Sequence, residues 1–326
     1  MPIPLLRSPL LVLGEVIKNM ELRQLFLLSF CSKRMHLVVK NLRDKSSKLE
    51  LTFGGGGGRV ALLLFGENIE LLFVLRVHEM LEGNLEGWTV DKYRGAVFRE
   101  EDREIKSYWE GMEEGTRCLL QHVCDLFSVQ VEKVGFYKEA LLWMMEAVEE
   151  LQGPRSYKAY CEKAPLTDEQ FRHLLVDLNP SSLYLYSQSS EELRIENFHK
   201  TYDTLDVWYG NWISGDNLLT LDCATLRMFD ATFTVPEINR FFRHVLIDEG
   251  APRLTEFRAQ VENTDANGIL DEIREVLKPI PGREQFEENE RSWKFSGLLE
   301  RGDRSVVVTI DCYKESSRSI EFKIES

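Results

Sequence analysis

Apolar side chains recur at helical spacing throughout residues 9–45. Pro9 suits the first turn of a helix, where a backbone N–H is not needed. The spacing predicts one helix after Pro9, a second from Leu22 and a third from about Ser32. These short helices are apolar on more than one face, and so small a module cannot bury all of those side chains internally. We therefore expect part of its surface to bind a partner.

A second pattern recurs in the body of the chain, in which a leucine is followed by any residue, an apolar residue and an aromatic residue. Its copies are Tyr157–Tyr160, Leu183–Tyr186, Leu205–Trp208, Leu226–Phe229 and Leu254–Phe257. The first copy matches the pattern only weakly, and the last has glutamate in the apolar position. The copies are 21 to 28 residues apart, which fits repeat units made of a strand and a returning helix.

Helix-start signals lie between these strand patterns. Capping boxes pair Thr167 with Gln170, Ser189 with Glu192 and Thr234 with Glu237. Strand, cap and helix therefore alternate, and the sequence predicts an irregular, leucine-rich-repeat-like strand/helix solenoid with a parallel sheet on one side. An ordinary doubly wound α/β domain is the alternative.

The flanking regions predict further strands and one helix. Residues 99–114 are acidic and indicate a solvated helix or loop, whereas 139–151 indicate a buried helix. The strand predictions are a hairpin of Leu49–Phe53 and Val60–Phe65 joined by Gly54–Gly58, and a C-terminal antiparallel meander of Trp293–Leu299, Ser305–Asp311 and Ile320–Ile324 around turns at 302–303 and 316–319.

The charge is unevenly distributed along the chain. Residues 1–45 contain eight Lys and Arg against three Asp and Glu, a net charge of +5. The net charge of the whole chain is −14, so the other 281 residues together carry −19. An acidic body of this size argues against DNA or RNA as the main ligand, because phosphate binding needs a basic face. The contrast between a basic head and an acidic body indicates two parts with different partners.

Localisation and redox state follow from what the sequence lacks. We find no targeting signal and no stretch apolar enough to span a membrane. The six cysteines are far apart and form no Cys-x-x-Cys motif, which predicts reduced thiols in a cytoplasmic or nuclear protein.

Two features invite a catalytic or metal-binding interpretation. Gly54–Gly58 imitates a phosphate-binding loop, but Arg59-Val60 follows where lysine and a hydroxyl residue are needed, so a flexible hairpin is favoured. Cys118 and His122 have the i, i+4 spacing of metal ligands on a helix, with Cys124 nearby, but no fourth ligand has a usual spacing. We expect no catalytic residue, metal or cofactor.

Two segments resemble known families. Pro9-x-x-x-Leu13-x-Glu15-Val16-x-x-x-Met20 and Leu25-x-x-Leu28-Ser29-x-x-Ser32-Lys33-Arg34 resemble the F-box of large nematode families. Asn211-Trp212-Ile213, Leu218–Cys223 and Thr234–Phe241 resemble the nematode type 2 F-box-associated domain, over about residues 180–262. An ordinary helical cap is the alternative for the first segment.

The resemblance implies a non-catalytic substrate receptor of an SCF-type cullin–RING ubiquitin ligase. It implies that the F-box docks a Skp-type adaptor, and through it a cullin, while the repeat region binds a target protein. A protein-binding scaffold that does not support ubiquitylation is the main alternative, and an enzyme using the glycine loop is another. The residues expected to bind the adaptor are Pro9, Leu10, Leu13, Val16, Ile17, Leu25, Leu28, Lys33 and Arg34. Of these, Leu13, Val16, Leu25 and Leu28 are expected to be exposed before binding.

The expected target-binding face depends on strand alternation. If the first and third positions of each pattern face the core, the second and fourth face outward. Tyr160, Tyr186, Trp208, Phe229 and Phe257 then form an exposed aromatic ladder, whereas a bulge or a reversed register would bury them. The expected architecture is an α/β chain with a three-helix F-box (1–45), a linking region (46–150), the repeat (151–290) and C-terminal strands (291–326).

Overall fold

The computed structural model describes residues 8–46, 48–67, 70–80, 88–90, 93–101, 104–139, 141–196, 198–301, 304–314 and 318–325. The chain divides into two compact units, residues 1–157 and 158–326. Both units mix helices with β-strands, which confirms the predicted α/β class at this level.

Three short helices open the first unit, as the spacing predicts. They are α1 (Leu10–Lys18), α2 (Leu22–Ser29) and α3 (Lys33–Leu42). A capping box joins Glu21 and Gln24 at the start of α2. The Ser32 hydroxyl accepts a hydrogen bond from the backbone N–H of Met35 and so caps α3.

A sheet and two helices follow in the same unit. The elements are β1 (Glu50–Gly55), β2 (Val60–Phe65), β3 (Leu71–Glu79), β4 (Trp88–Val90), β5 (Tyr93–Glu101), β6 (Glu104–Trp109), α4 (Met112–Phe127), β7 (Val131–Tyr137) and α5 (Trp143–Gln152). The strands lie in the order β7-β1-β2-β3-β6-β5-β4, in which β1/β7 and β3/β6 are parallel and the other pairs antiparallel.

Two predictions for this unit are confirmed and one is wrong. The β1–β2 hairpin turns through Gly57 and Gly58, whose φ angles of +63° and +70° favour glycine. Helix α5 buries Met144, Met145 and Val148, as expected. Residues 99–114, however, contain strand β6 and the start of α4. The residues of β6 alternate between partly exposed and buried, so the polar residues that indicated a solvated segment occupy only one of its two faces.

The second unit is built on five parallel strands. In chain order these are β8 (Lys158–Glu162), β9 (Ser182–Tyr186), β10 (Thr201–Val207), β11 (Asp222–Phe233) and β12 (Glu256–Val261). Each pairs in parallel with the next, as the repeated pattern predicts. The helices and further strands are α6 (Asp168–Arg172) with a π-helical turn at His173–Asp177, α7 (Gly215–Thr220), α8 (Val235–Leu246), α9 (Ala266–Ile269), α10 (Ile273–Val276), β13 (Phe286–Glu288), β14 (Ser292–Arg301), β15 (Arg304–Tyr313) and β16 (Ser319–Glu325).

Of the three predicted capping boxes, two start helices. Thr167 caps α6 and Thr234 caps α8. The prediction of a helix after Ser189 is wrong, because the described residues between β9 and β10 form only turns and irregular chain. Leu193 and Ile195 in this segment are both buried. They are two residues apart, a spacing that places side chains on the same face of an extended chain but not on the same face of a helix. The Ser189 hydroxyl instead donates to Asn211 Oδ1 at 3.0 Å.

The predicted C-terminal meander is confirmed. Strands β14, β15 and β16 pair antiparallel in sequence order, β13 adds to β14, and β16 pairs antiparallel with β12. Position 319 belongs to β16, while residues 302–303 and 316–317 of the predicted turns lie outside the described residues.

Candidate binding surfaces

Helix α1 is apolar on its outer side as well as its inner side. Leu13 and Ile17 are buried. On the outer side the exposed fractions are 67% for Leu10, 85% for Leu11, 52% for Val12 and 39% for Val16. We call these four residues the α1 patch. Four large apolar side chains exposed within one short helix make α1 a candidate partner-binding surface.

Helices α2 and α3 are held to α4 by polar contacts as well as by packing. Ser29 Oγ and His122 Nε2 share a hydrogen bond of 2.7 Å, and the Phe30 ring stacks on His122 at 4.6 Å. Asp125 of α4 pairs with His36 at 2.7 Å and Lys40 at 2.5 Å. Hydrogen bonds from these two side chains lower the Asp125 pKa.

Apolar packing fixes the same helices against the sheet of the first unit. The Phe26 ring lies 5.6 Å from Phe73 of β3 and 5.6 Å from His122. The Arg43 guanidinium donates to the carbonyl oxygen of Phe127, the last residue of α4, where helix carbonyls have no partner within the helix. Helices α2 and α3 are therefore part of the core of this unit.

In the second unit, register decides which side chains lie on each face of the parallel strands. Leu183, Leu205, Leu226 and Phe257 are aligned across β9 to β12, and all four are buried. Phe241 of α8 lies 4.7 Å from Phe257, so α8 packs on this inner face. The alternate side chains point to the opposite face, which we call the outer face.

Aromatic side chains cover one region of the outer face. Tyr160 and Tyr184 stack with ring centroids 4.4 Å apart. Trp208 lies 5.4 Å from Tyr186, with perpendicular rings, and 5.5 Å from Phe229. We call Tyr186, Trp208 and Phe229 the aromatic row. Trp208 is 51% exposed, so its ring is available to a partner.

Charged side chains continue the outer face beside these rings. Asp206 lies opposite Tyr184 on one side and Arg227 on the other. The Arg227 guanidinium binds Glu256 through two hydrogen bonds of 3.0 and 3.1 Å, and its nearest approach to Asp206 Oδ2 is 3.9 Å. Burial raises the pKa of Asp206 above its ordinary value, and Arg227 opposes that shift.

Comparison with protein families decides what these two surfaces belong to. The F-box domain model matches residues 9–47, which hold α1 to α3. The F-box associated model of type 2 matches residues 191–259, which span β10, α7, β11, α8 and most of β12. The chain carries an F-box and an F-box-associated domain. No characterised protein and no solved structure is significantly similar to it.

The F-box places the expected adaptor-binding residues in two groups. Pro9, Leu10, Val16, Lys33 and Arg34 are exposed, and Leu28 is partly buried. Leu13, Ile17 and Leu25 are buried, at 4%, 0% and 2% exposure. The expectation that Leu13 and Leu25 are exposed before binding is therefore wrong, because they pack inside the first unit. Leu11 and Val12 of the α1 patch were missed, although their apolar character was visible in the sequence.

The F-box-associated domain and the strands before it hold three of the five expected ladder residues in alignment. Tyr186, Trp208 and Phe229 are neighbours on the outer face, as alternation predicts. Tyr160 is also on that face but pairs with Tyr184, because Ala159 rather than Tyr157 aligns with Leu183. Phe257 is fully buried, so its place in an exposed ladder is wrong.

The glycine loop and His122 make structural contacts in the first unit. Strand β2 follows the glycines, and the Gly58 N–H donates to Glu139 Oε1 at 2.7 Å. His122 is a partner of Ser29, and burial raises the pKa of the nearby Cys124 thiol to about 12. Within the described ranges, no group of three His, Cys, Asp or Glu side chains has metal-binding geometry, and none of the helices is long and apolar enough to cross a bilayer.

Proposed function

We propose that this protein is the substrate-recognition subunit of an SCF-type cullin–RING ubiquitin ligase. F-box domains bind Skp-type adaptors, and neither matched family is an enzyme family. The observation that carries the proposal is the order of an F-box and an F-box-associated domain in one chain, together with exposed apolar side chains on both. The expected site of action is the cytoplasm or the nucleus.

The α1 patch is the proposed centre of the adaptor interface. Its four aliphatic side chains are exposed, whereas the inner side of the same helix is packed, so docking requires no rearrangement of the fold. Pro9, Leu28, Lys33 and Arg34 supply the surrounding contacts in this proposal. The roles of Leu13, Ile17 and Leu25 are then to hold α1 and α2 in place rather than to contact the adaptor.

The outer face of the parallel strands is the proposed target-binding surface. Aromatic side chains are among the most enriched residues at binding hot spots, and the aromatic row supplies three of them, with Trp208 in contact with both Tyr186 and Phe229. We interpret β8 to β12 and their connections as an irregular leucine-rich-repeat-like solenoid, a geometry that presents a continuous sheet to a partner. The receptor then acts by holding target lysines near the charged conjugating enzyme, which raises their effective concentration.

Reconstitution tests this proposal. The purified chain should co-elute with a Skp-type adaptor, and should join an adaptor–cullin–RING complex that transfers ubiquitin to proteins bound by the chain. An aspartate substitution in the α1 patch, such as Leu11→Asp, should reduce co-elution, whereas Val176→Asp at an exposed apolar position of the second unit should not. Co-elution without ubiquitin transfer would favour a scaffold, and a lack of co-elution would overturn the proposal.

A further inference from the structure

Asp206 is an unusual member of the outer face. It is only 6% exposed, and its Oδ1 atom is buried without a hydrogen-bond partner among the described residues. A buried carboxylate oxygen that lacks a partner is costly, so such a group in a folded protein calls for an explanation. Its nearby cation, Arg227, is engaged by both oxygens of Glu256.

The surroundings of Asp206 are aromatic. Tyr184 lies opposite it on β9. Trp208 lies two residues further along the chain, just past the end of β10, where alternation places it on the same face. Asp206 is also close enough to Tyr186 to raise its pKa electrostatically, after the larger effect of burial. A negative charge therefore lies beside the corner that the perpendicular rings of Tyr186 and Trp208 form.

This combination has a definite chemical preference. The faces of aromatic rings attract cations, and a carboxylate held at low dielectric strengthens that attraction. The row already shows this behaviour at its other end, where the Arg258 guanidinium lies 5.4 Å from the Phe229 ring centroid. A cation resting on Tyr186 and Trp208 would gain the ring faces and the Asp206 charge together.

The charge of the whole unit favours the same partner. Residues 158–326 contain 20 Lys and Arg against 31 Asp and Glu, a net formal charge of −11. A field of that sign raises the local concentration of cationic partners and disfavours anionic ones.

We propose that the corner formed by Tyr186, Trp208 and Asp206 binds a lysine or arginine side chain of the target protein. This inference rests on the proposed function for the identity of the target, and it assigns the chemistry by which that target is chosen. The aromatic rings supply the contact area, and Asp206 supplies the selectivity for a cation over an apolar side chain of similar length.

Peptide selection on the full chain tests the inference. A random twelve-residue peptide library should yield binders with lysine or arginine at one fixed position, and replacing that residue with norleucine should weaken binding about tenfold or more. Asp206→Asn and Trp208→Leu should each weaken binding of the selected peptide to a similar extent. Asp311→Asn, which neutralises a partly buried carboxylate on a strand of the same unit, should leave the affinity within about twofold.

The outcomes separate this inference from the proposed function. Selected peptides without a basic position, no selected peptides, or equal binding by wild type and Asp206→Asn would each overturn the cation site. Adaptor co-elution is measured on the same preparations. If the adaptor binds and the basic position is absent, only the cation site fails. If the basic position is present and the adaptor does not bind, only the ligase assignment fails. The unfolding midpoint of each variant shows whether that variant is still folded. If Asp206→Asn is unfolded, the folded variant Trp208→Leu is used in its place to test the site.

Discussion

The α1 patch and the aromatic row are both exposed apolar surfaces, but they differ in construction. The patch consists of aliphatic side chains on a single short helix, and its neighbours in the sequence form the core. The row is assembled from three strands far apart in the sequence, and its rings contact one another beside a buried charge. The α1 patch therefore depends on the packing of one helix, whereas the aromatic row depends on the register of three strands.

The largest expected effect is a loss of folding stability when the packing of the F-box helices is disrupted. Leu25→Asp places a charge at a position that is 2% exposed, beside Phe26 and the rest of the first unit's core. Burying an unpaired charge should lower the free energy of unfolding by about 4–5 kcal/mol. Urea unfolding followed by circular dichroism measures the loss. A stable, folded variant that merely fails to bind the adaptor would contradict the buried position of Leu25.

The next effect separates two aromatic positions that share the same sequence pattern. Phe257→Ala should cost about 3–4 kcal/mol of stability, because it leaves a cavity between β12 and α8. Trp208→Ala should cost at most about 1 kcal/mol, because that ring is half exposed and loses only its contacts with Tyr186 and Phe229. Equal losses in denaturant unfolding would mean that the two rings do not lie on opposite faces.

These two aromatic residues show why the repeat pattern predicted the outer face only in part. Leu183, Leu205 and Leu226 are in register, so their patterns align as expected. In β12, Phe257 rather than Leu254 aligns with Leu226, a shift of three residues. An odd shift moves a side chain to the other face. In β8 the shift is two residues, so Tyr160 keeps its face and changes its neighbour.

The F-box was predictable for a different reason. Helical spacing and capping residues locate α1, α2 and α3, but they do not tell which apolar face is covered by another element. That face is decided by α4, whose contacts with Ser29 and His36 join residues about 90 positions apart. Leu13 and Leu25 were expected to be exposed because the sequence treats the three helices as a separate module. Both are buried instead, in α1, which contacts α3, and in α2, which contacts α3, α4 and β3.

A smaller expected effect tests the α1 patch itself. The double variant Leu11→Asp, Val16→Asp should weaken adaptor binding by about 2–4 kcal/mol, the range of interface hot spots. Its unfolding midpoint should match that of wild type, because both residues are exposed. Isothermal titration with a Skp-type adaptor measures the affinity, and Val176→Asp provides the charge-matched control. Wild-type affinity in the double variant would remove the patch from the interface.

The smallest effect probes the ion pairs that seat α3 on α4. Hydrogen bonds from Lys40 and His36 lower the Asp125 pKa in the folded protein, so this carboxylate stabilises the fold above its unfolded pKa of about 4. That stabilisation is lost as the pH falls through the lower, folded pKa. Because Asp125 is 43% exposed, solvent screening limits its contribution at neutral pH to about 1 kcal/mol.

Asp125→Asn should therefore destabilise the protein by about 1 kcal/mol at pH 7, and the difference from wild type should shrink below about pH 4 as the wild-type carboxylate becomes protonated. Urea unfolding at a series of pH values measures this difference. Asp248→Asn, at an exposed position of the second unit, should show no comparable loss at neutral pH. A difference for Asp125→Asn that grows with acidification would mean that Asp125 is not stabilised as a carboxylate by α3.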